Sequence, residues 1–188
     1  DYHTGWGTST FSVCLIDAPA PINDECISAI PLPVSSTSIC LSPYAGTSLY
    51  GTESMTGCAG NADDDVWYSF VAATANDVVT VQGGAGYNAH LEVFSSSTND
   101  CLGTLASLGC INATSTAGAE VFTGSTLVPG NTYFVRVYHT AAGSGSGQFD
   151  ICVTAAVPAC VSAGITPANA SINVTYTGTT LSWTSVVG

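Results

Sequence analysis

Thr132-Tyr133-Phe134-Val135-Arg136-Val137-Tyr138-His139, a Gly/Ser turn, and then Gln148-Phe149-Asp150-Ile151-Cys152-Val153-Thr154 is the stretch that decides the fold. Both arms are dense in β-branched and aromatic residues, which suit a pleated, half-buried surface, and the turn between them carries the glycines that let a chain reverse. The pattern predicts two strands, Thr132 to His139 and Gln148 to Thr154, joined as a hairpin. Much of the same text stands near the other end. Tyr2-His3-Thr4, a Gly-rich turn and Phe11-Ser12-Val13-Cys14-Leu15 match Tyr138-His139-Thr140 and Phe149-Asp150-Ile151-Cys152-Val153, offset by 136 residues at the tyrosine and 138 at the phenylalanine. A repeat of that period is about one ordinary domain long. Residues 1–17 are therefore expected to be the last hairpin of a preceding repeat, with Asp1 and Gly188 as cuts through a longer string of tandem modules.

Working outward, no segment shows a convincing helical period, whereas short runs rich in Val, Thr, Tyr and Phe recur between Gly, Asn, Ser and Pro clusters. Further strands are expected over Phe11 to Ile16, Val66 to Ala72, Val78 to Gln82, His90 to Phe94, Ala119 to Phe122, Ile172 to Tyr176 and Thr180 to Thr184. That density of strands and turns reads as all-β, an antiparallel β-sandwich in preference to a barrel. Proline ends strands and limits the angle between modules, so Ala18-Pro19-Ala20-Pro21 and Ala155-Ala156-Val157-Pro158 read as joints. They divide the chain into a linker at 18–21, a complete sandwich over 22–155, and, over 156–188, a linker and the first two strands of a different sandwich with Trp183 as a core candidate.

Charge excludes two classes of partner. Thirteen acidic residues stand against a single permanent cation, Arg136, for a net charge of −12. Nucleic acids and anionic membrane surfaces are bound by clustered Lys and Arg, which this chain lacks. Its longest apolar runs, such as Val66 to Ala73, fall far short of the roughly 20 residues that cross a bilayer as a helix. Eight cysteines at wide spacings, without a Cys-x-x-Cys pair, do not fit zinc-ligand spacing and read as disulfides of an oxidising compartment, hence a secreted or cell-surface location. Six fall inside one repeat: Cys26, Cys40, Cys58, Cys101, Cys110 and Cys152. Six cysteines allow 15 pairings. The favoured set is Cys101 with Cys110 across a short loop, Cys40 with Cys58, and Cys26 with Cys152, the last tying the first segment to the last strand. Cys14, the counterpart of Cys152, is expected to pair upstream.

Asn23-Asp24-Glu25-Cys26 with Ala29-Ile30-Pro31-Leu32, Asp64-Asp65-Val66-Trp67-Tyr68-Ser69-Phe70, Leu127-x-Pro129-Gly130-x-Thr132 running on to Val137, and Phe149-Asp150-Ile151-Cys152-Val153 together resemble the bacterial pre-peptidase C-terminal sandwich, a jelly-roll or CUB-like domain. The resemblance spans 22–155. The tail, with Pro158-Ala159-Cys160, Ile165 to Ala170 and Leu181-Ser182-Trp183-Thr184, is similar to the opening of a fibronectin type III module. The resemblance implies modules strung along adhesins, gelatinous fibres or exported proteases, and calcium in some relatives.

Asp63-Asp64-Asp65, preceded by Asn61, is the densest cluster of candidate calcium ligands, with Glu53 or main-chain carbonyls as helpers; the alternative is a solvated turn that starts a strand. Calcium is the only cofactor the residues bring into view. Arg136 alternates with Phe134 and Tyr138 on one strand face and is expected in a structural ion pair with Asp64 or Asp65, or stacked on an aromatic ring. His3, His90 and His139 have no nucleophile or acid at motif spacing, so no catalytic residue is assigned. Trp6, Trp67 and Trp183 offer a sugar platform only if exposed, and two of them sit in strand motifs that fill cores. Asn112-Ala-Thr114, Asn169-Ala-Ser171 and Asn173-Val-Thr175 fit the N-glycosylation pattern and are read as chance matches. The leading expectation is a non-enzymatic structural or adhesive segment of a long extracellular protein or filament, with neighbouring modules or copies as partners. Two alternatives are an accessory region of a secreted peptidase or glycosidase, and a glycan-binding module.

Overall fold

The computed structural model describes residues 18–143 and 147–156, and the backbone of 171–177 and 180–186. The chain divides into two units, Asp1–Val157 and Pro158–Gly188.

In the first unit a 3-10 turn, Cys26–Ser28, leads into ten strands: β1 Ile30–Pro31, β2 Val34–Ser35, β3 Tyr44–Thr47, β4 Val66–Val71, β5 Val78–Gly83, β6 Ala89–Ser96, β7 Leu105–Ile111, β8 Ala119–Thr123, β9 Thr132–His139 and β10 Gln148–Thr154. One sheet runs β1-β4-β9-β6-β7; the other runs β2-β10-β5-β8, with β3 also on β10. The fold is the all-β sandwich read from the sequence. Two details differ. The sheets are mixed, since β1 pairs with β4 and β2 with β10 in parallel. And β9 and β10 are not hairpin partners: β9 pairs with β4 and β6, β10 with β5, β2 and β3, so their connection crosses from one sheet to the other. Strand propensity locates both arms but says nothing about which neighbour each will choose.

Period-2 alternation builds the core between the sheets. Val66, Tyr68 and Phe70 of β4, Leu91 and Val93 of β6, and Val135 and Val137 of β9 face Val79 and Val81 of β5, Phe122 of β8, and Phe149, Ile151 and Val153 of β10. Gly46 of β3 is required by this packing, because a Cβ there would run into the Tyr68 hydroxyl and the Phe149 ring. The strands that the sequence did not reveal are β1, β2, β3 and β7. The first three are two to four residues long and lie at the sheet margin. β7 reads Leu-Ala-Ser-Leu-Gly-Cys-Ile, an edge strand with a register shift against β6 and no clean alternation to betray it.

All six cysteines of the repeat are paired, but not as expected: Cys26 with Cys101, Cys40 with Cys152 and Cys58 with Cys110. The short-loop pairing Cys101–Cys110 fails because β7 is a strand that runs away from Cys101 along β6, leaving its two ends far apart. The expected bridge between the first segment and the last strand, Cys26–Cys152, does not form: Cys152 pairs with Cys40, which lies between β2 and β3, and Cys26 pairs with Cys101. The bridges place the chain in an oxidising compartment. No helix among the described residues is long and apolar enough to cross a membrane.

In the second unit β11, Ser171–Thr177, pairs antiparallel with β12, Thr180–Val186, as expected, with Val174 opposite Trp183. Residues 1–17, and with them Trp6 and Cys14, lie outside the described residues, as do Cys160 and the side chain of Trp183.

Candidate functional site

The side of β4, β9 and β6 turned away from the core is also buried. Across these strands Trp67 stands opposite Arg136, and Arg136 opposite Glu92. The 18-residue segment between Thr47 and Val66 covers them, and this is where the expected site residues meet.

Arg136 is the centre. Its Nη1 donates to Asp65 Oδ2 at 3.2 Å and to the Met55 carbonyl at 2.6 Å; its Nη2 donates to Glu92 Oε2 at 2.7 Å and to the Thr56 carbonyl at 3.1 Å. The guanidinium carbon lies 5.7 Å from the Trp67 ring centre, 5.9 Å from Phe94 and 5.1 Å from Tyr138. The planar fork suits this task, because it bonds two carboxylates and two carbonyls while its faces meet rings. Both expected modes, ion pairing and stacking, occur at once. The partners are Asp65 and Glu92; Asp64 is not one of them.

The three consecutive aspartates go to three different places. Asp63 accepts from Asn61 Nδ2 and from the Gly143 N–H beyond β9. Asp64 accepts from Ser48 Oγ at 2.7 Å and from the His139 N–H at 2.9 Å, and Tyr87 Oη lies 2.9 Å from that same serine. With its proton committed to Asp64, Ser48 accepts from Tyr87. Asp65 accepts from Ser54 Oγ and N–H as well as from Arg136, and Trp67 Nε1 donates to Ser54 Oγ at 2.8 Å. A calcium ion needs six to eight oxygens converging on one point. The structure does not bring these carboxylates together; it turns each toward N–H and O–H donors.

Burial shapes the charge states. It raises the Asp64 carboxyl to about 6 against the pull of Ser48 and His139, and pushes Asp65 up despite Ser54 and Arg136. It raises the Tyr87 and Tyr138 phenols and lowers His90.

The same use of carboxylates recurs around the molecule. Buried Glu120 accepts from the N–H groups of Ala113 and Thr114 and from the Thr114 hydroxyl. Buried Asp77 accepts from Ala73 and Thr74 N–H and from Thr74 Oγ1. Asp24 takes both Thr52 donors, and Asp100 those of Thr98, Leu102 and Gly103. In a chain almost without cations, carboxylates fasten loops by accepting from main-chain and hydroxyl donors.

Sequence reading missed Glu92, although the signal was present: His90, Glu92 and Phe94 alternate with Leu91 and Val93, which puts the glutamate on the outer face of a strand. It had no means of finding Ser48, whose role depends on how a long loop returns. Trp67 is 1% exposed, so it fills the small cluster with Phe94 and Phe134 and offers no sugar platform. One further grouping lies at the end of this face. His90 stacks on Tyr138 with the rings 4.8 Å apart, its Nδ1 is 3.0 Å from Thr140 Oγ1, and an imidazole nitrogen and the sulfurs of Cys58 and Cys110 all lie within 4.8 Å of one another. It is the sole such gathering of His, Cys, Asp or Glu among the described residues.

The chain matches no protein-family model and no curated protein sequence.

Proposed function

We propose that this chain is a structural or adhesive segment of a long extracellular bacterial surface protein or filament assembled from tandem β-sandwich modules of the pre-peptidase C-terminal kind. The observation that carries the reading is the Cys40–Cys152 bridge, which joins the loop between β2 and β3 to the last strand across 112 residues of sequence. A load applied along such a string enters near residue 22 and leaves near 155. With the bridge closed, the load bypasses almost the whole sandwich, and only about 20 residues, those before Cys40 and after Cys152, are free to extend.

The sequence repeat supports the same reading. Tyr2, Thr4, Phe11 and Cys14 repeat Tyr138, Thr140, Phe149 and Cys152. In the described unit those four are, in turn, a buried ring, an anchor for His90, a core residue and the force-bearing cysteine. Recurrence of these residue types at the period of one domain is what tandem modules of one build leave in a sequence. Loops held by carboxylates and bridges suit a protein that works beyond the reach of chaperones.

Single-molecule pulling on the full chain tests this. Under oxidising conditions the 22–155 unit is expected to lengthen by roughly 70 Å, and after reduction by roughly 470 Å, at about 3.5 Å per extended residue. Equal extension in the two states would remove the mechanical reading. Imaging of the native material offers a second check: linear assemblies with a repeat the size of one domain are expected, and compact single particles would count against it.

A further inference from the structure

We propose that Cys58, Cys110 and His90 form a binding site for a thiophilic metal ion, zinc or copper(I), that exists only while the Cys58–Cys110 bridge is open. The inference does not depend on the mechanical reading.

Three observations carry it. The two sulfurs and an imidazole nitrogen are already gathered within 4.8 Å, which is the donor set of a Cys2His site with a fourth position left for water. Sequence spacing hides the set, because its members come from the 48–65 loop, β6 and β7. Next, both halves of this bridge are solvent-exposed, whereas both halves of Cys26–Cys101 and of Cys40–Cys152 are partly covered. A reductant therefore meets Cys58–Cys110 first.

The third observation concerns what remains after the bridge opens. Cys58 does not depend on the disulfide for its position. The Tyr138 hydroxyl donates to the Ala59 carbonyl at 2.7 Å, the Asn61 N–H to the Thr140 carbonyl at 3.1 Å, and Arg136 to the Thr56 carbonyl, so the residues on either side of Cys58 stay fastened to β9. Cys110 is held in β7 opposite Glu92. His90 is fixed by its stack on Tyr138 and its hydrogen bond to Thr140, which also accepts from Asn112 Nδ2 at 2.9 Å. A ligand histidine whose ring is oriented by such partners loses little freedom on binding.

The chemistry balances with a dithiol as reductant. Its two thiols are oxidised to a disulfide, the Cys58–Cys110 bond receives the electron pair, and two protons pass to the cysteine sulfurs. The metal ion, Zn2+ or Cu+, then displaces those protons to solvent as it binds the two thiolates. Metal binding and bridge formation exclude each other, so an oxidant releases the ion.

The test uses the full chain, reduced with a dithiol, desalted, and incubated with or without zinc. Alkylation of each cysteine is then followed by mass spectrometry. Zinc is expected to slow alkylation of Cys58 and Cys110 by about tenfold or more, because a bound thiolate is withdrawn as a nucleophile. The remaining cysteines keep their rates, and His90→Ala, first checked by mass spectrometry for all three bridges in the oxidised form, loses the protection. Absence of zinc-dependent protection, protection spread evenly over all cysteines, or the same protection in His90→Ala would each overturn the site. With cobalt(II) in place of zinc, a thiolate-to-metal charge-transfer band that disappears on reoxidation is the corresponding spectroscopic sign.

Discussion

The two faces of the β4-β9-β6 sheet are buried by opposite chemistry. Toward the second sheet lie Val66, Tyr68, Phe70, Leu91, Val93, Val135 and Val137; on the reverse lie Asp65, Trp67, Glu92, Phe94, Phe134, Arg136 and Tyr138. The inner face follows from area: apolar side chains leaving water contribute about 25 cal/mol per Å², and any sandwich with that alternation gains it. The outer face gains little from area and loses much to desolvation of three charges. What it adds is direction. A guanidinium that must find two carboxylates and two particular carbonyls accepts one arrangement of the 48–65 loop, where an apolar patch would accept many.

The largest effect should come from breaking the outer face at its centre. Arg136→Ala leaves Asp65 and Glu92 buried without a cation and is expected to cost about 3–5 kcal/mol. Leu91→Ala on the inner face costs a similar 2–5 kcal/mol by opening a cavity. The two are separated by where they act. Arg136→Ala should open protease sites within residues 48–65 and change Trp67 fluorescence before global unfolding, and Leu91→Ala should lower the melting temperature without doing either. Replacing Arg136, Asp65 and Glu92 together by Met, Leu and Leu should recover most of the lost stability but not the loop's protection, and recovery of both would show that the polar cluster carries no specificity.

A step smaller is Glu120→Ala, which strips three donors of their acceptor in the loop that follows β7. Hydrogen bonds to a charged group are worth about 1.5–3 kcal/mol each where buried, but these loop donors find water once released, so a net loss of about 2 kcal/mol is expected by thermal or urea denaturation. A loss below the scatter of exposed substitutions would mean that carboxylate fastening matters only around Arg136.

Removing the bridges one at a time, as Cys→Ser pairs, should rank them by loop length: Cys40–Cys152 above Cys26–Cys101 above Cys58–Cys110, whose separations are 112, 75 and 52 residues. The spread from first to last is only about 0.7 kcal/mol on the chain-entropy account, so an inverted order would point to native contacts, not chain entropy, as the source.

How far the sequence reveals this molecule follows the same division. The inner face is a matter of alternation, and Val78 to Gln82, Thr132 to His139 and Gln148 to Thr154 are legible because each reads in–out by itself. Strand partners are not, since β9 and β10 look like a hairpin and belong to different sheets. Nor are bridges, because pairing depends on where β7 carries Cys110. On the outer face Arg136 announces itself as the one cation, and an aspartate of the 63–65 cluster is indeed its partner. But three adjacent carboxylates look like one site in sequence and are three in space, as successive residues around the start of a strand point in opposed directions.

The smallest expected effect is on pH dependence, and its sign is unusual for a carboxylate. Asp64 titrates near 6 in the folded chain against an ordinary 3.8, because burial beside Ser48 and Tyr87 disfavours its charge. Between those values the native state holds a proton that the unfolded state has released, so the contribution of Asp64 to stability is greatest below about pH 4, falls as pH rises toward 6, and then levels off. Asp65, also raised by burial, adds to the same slope. Asp64→Asn keeps an acceptor for the His139 N–H and has no proton to lose. Its melting temperature should therefore vary less between pH 4 and 6 than that of the parent chain. A slope unchanged in Asp64→Asn would mean that the charged carboxylate is as well solvated by its two donors as by water.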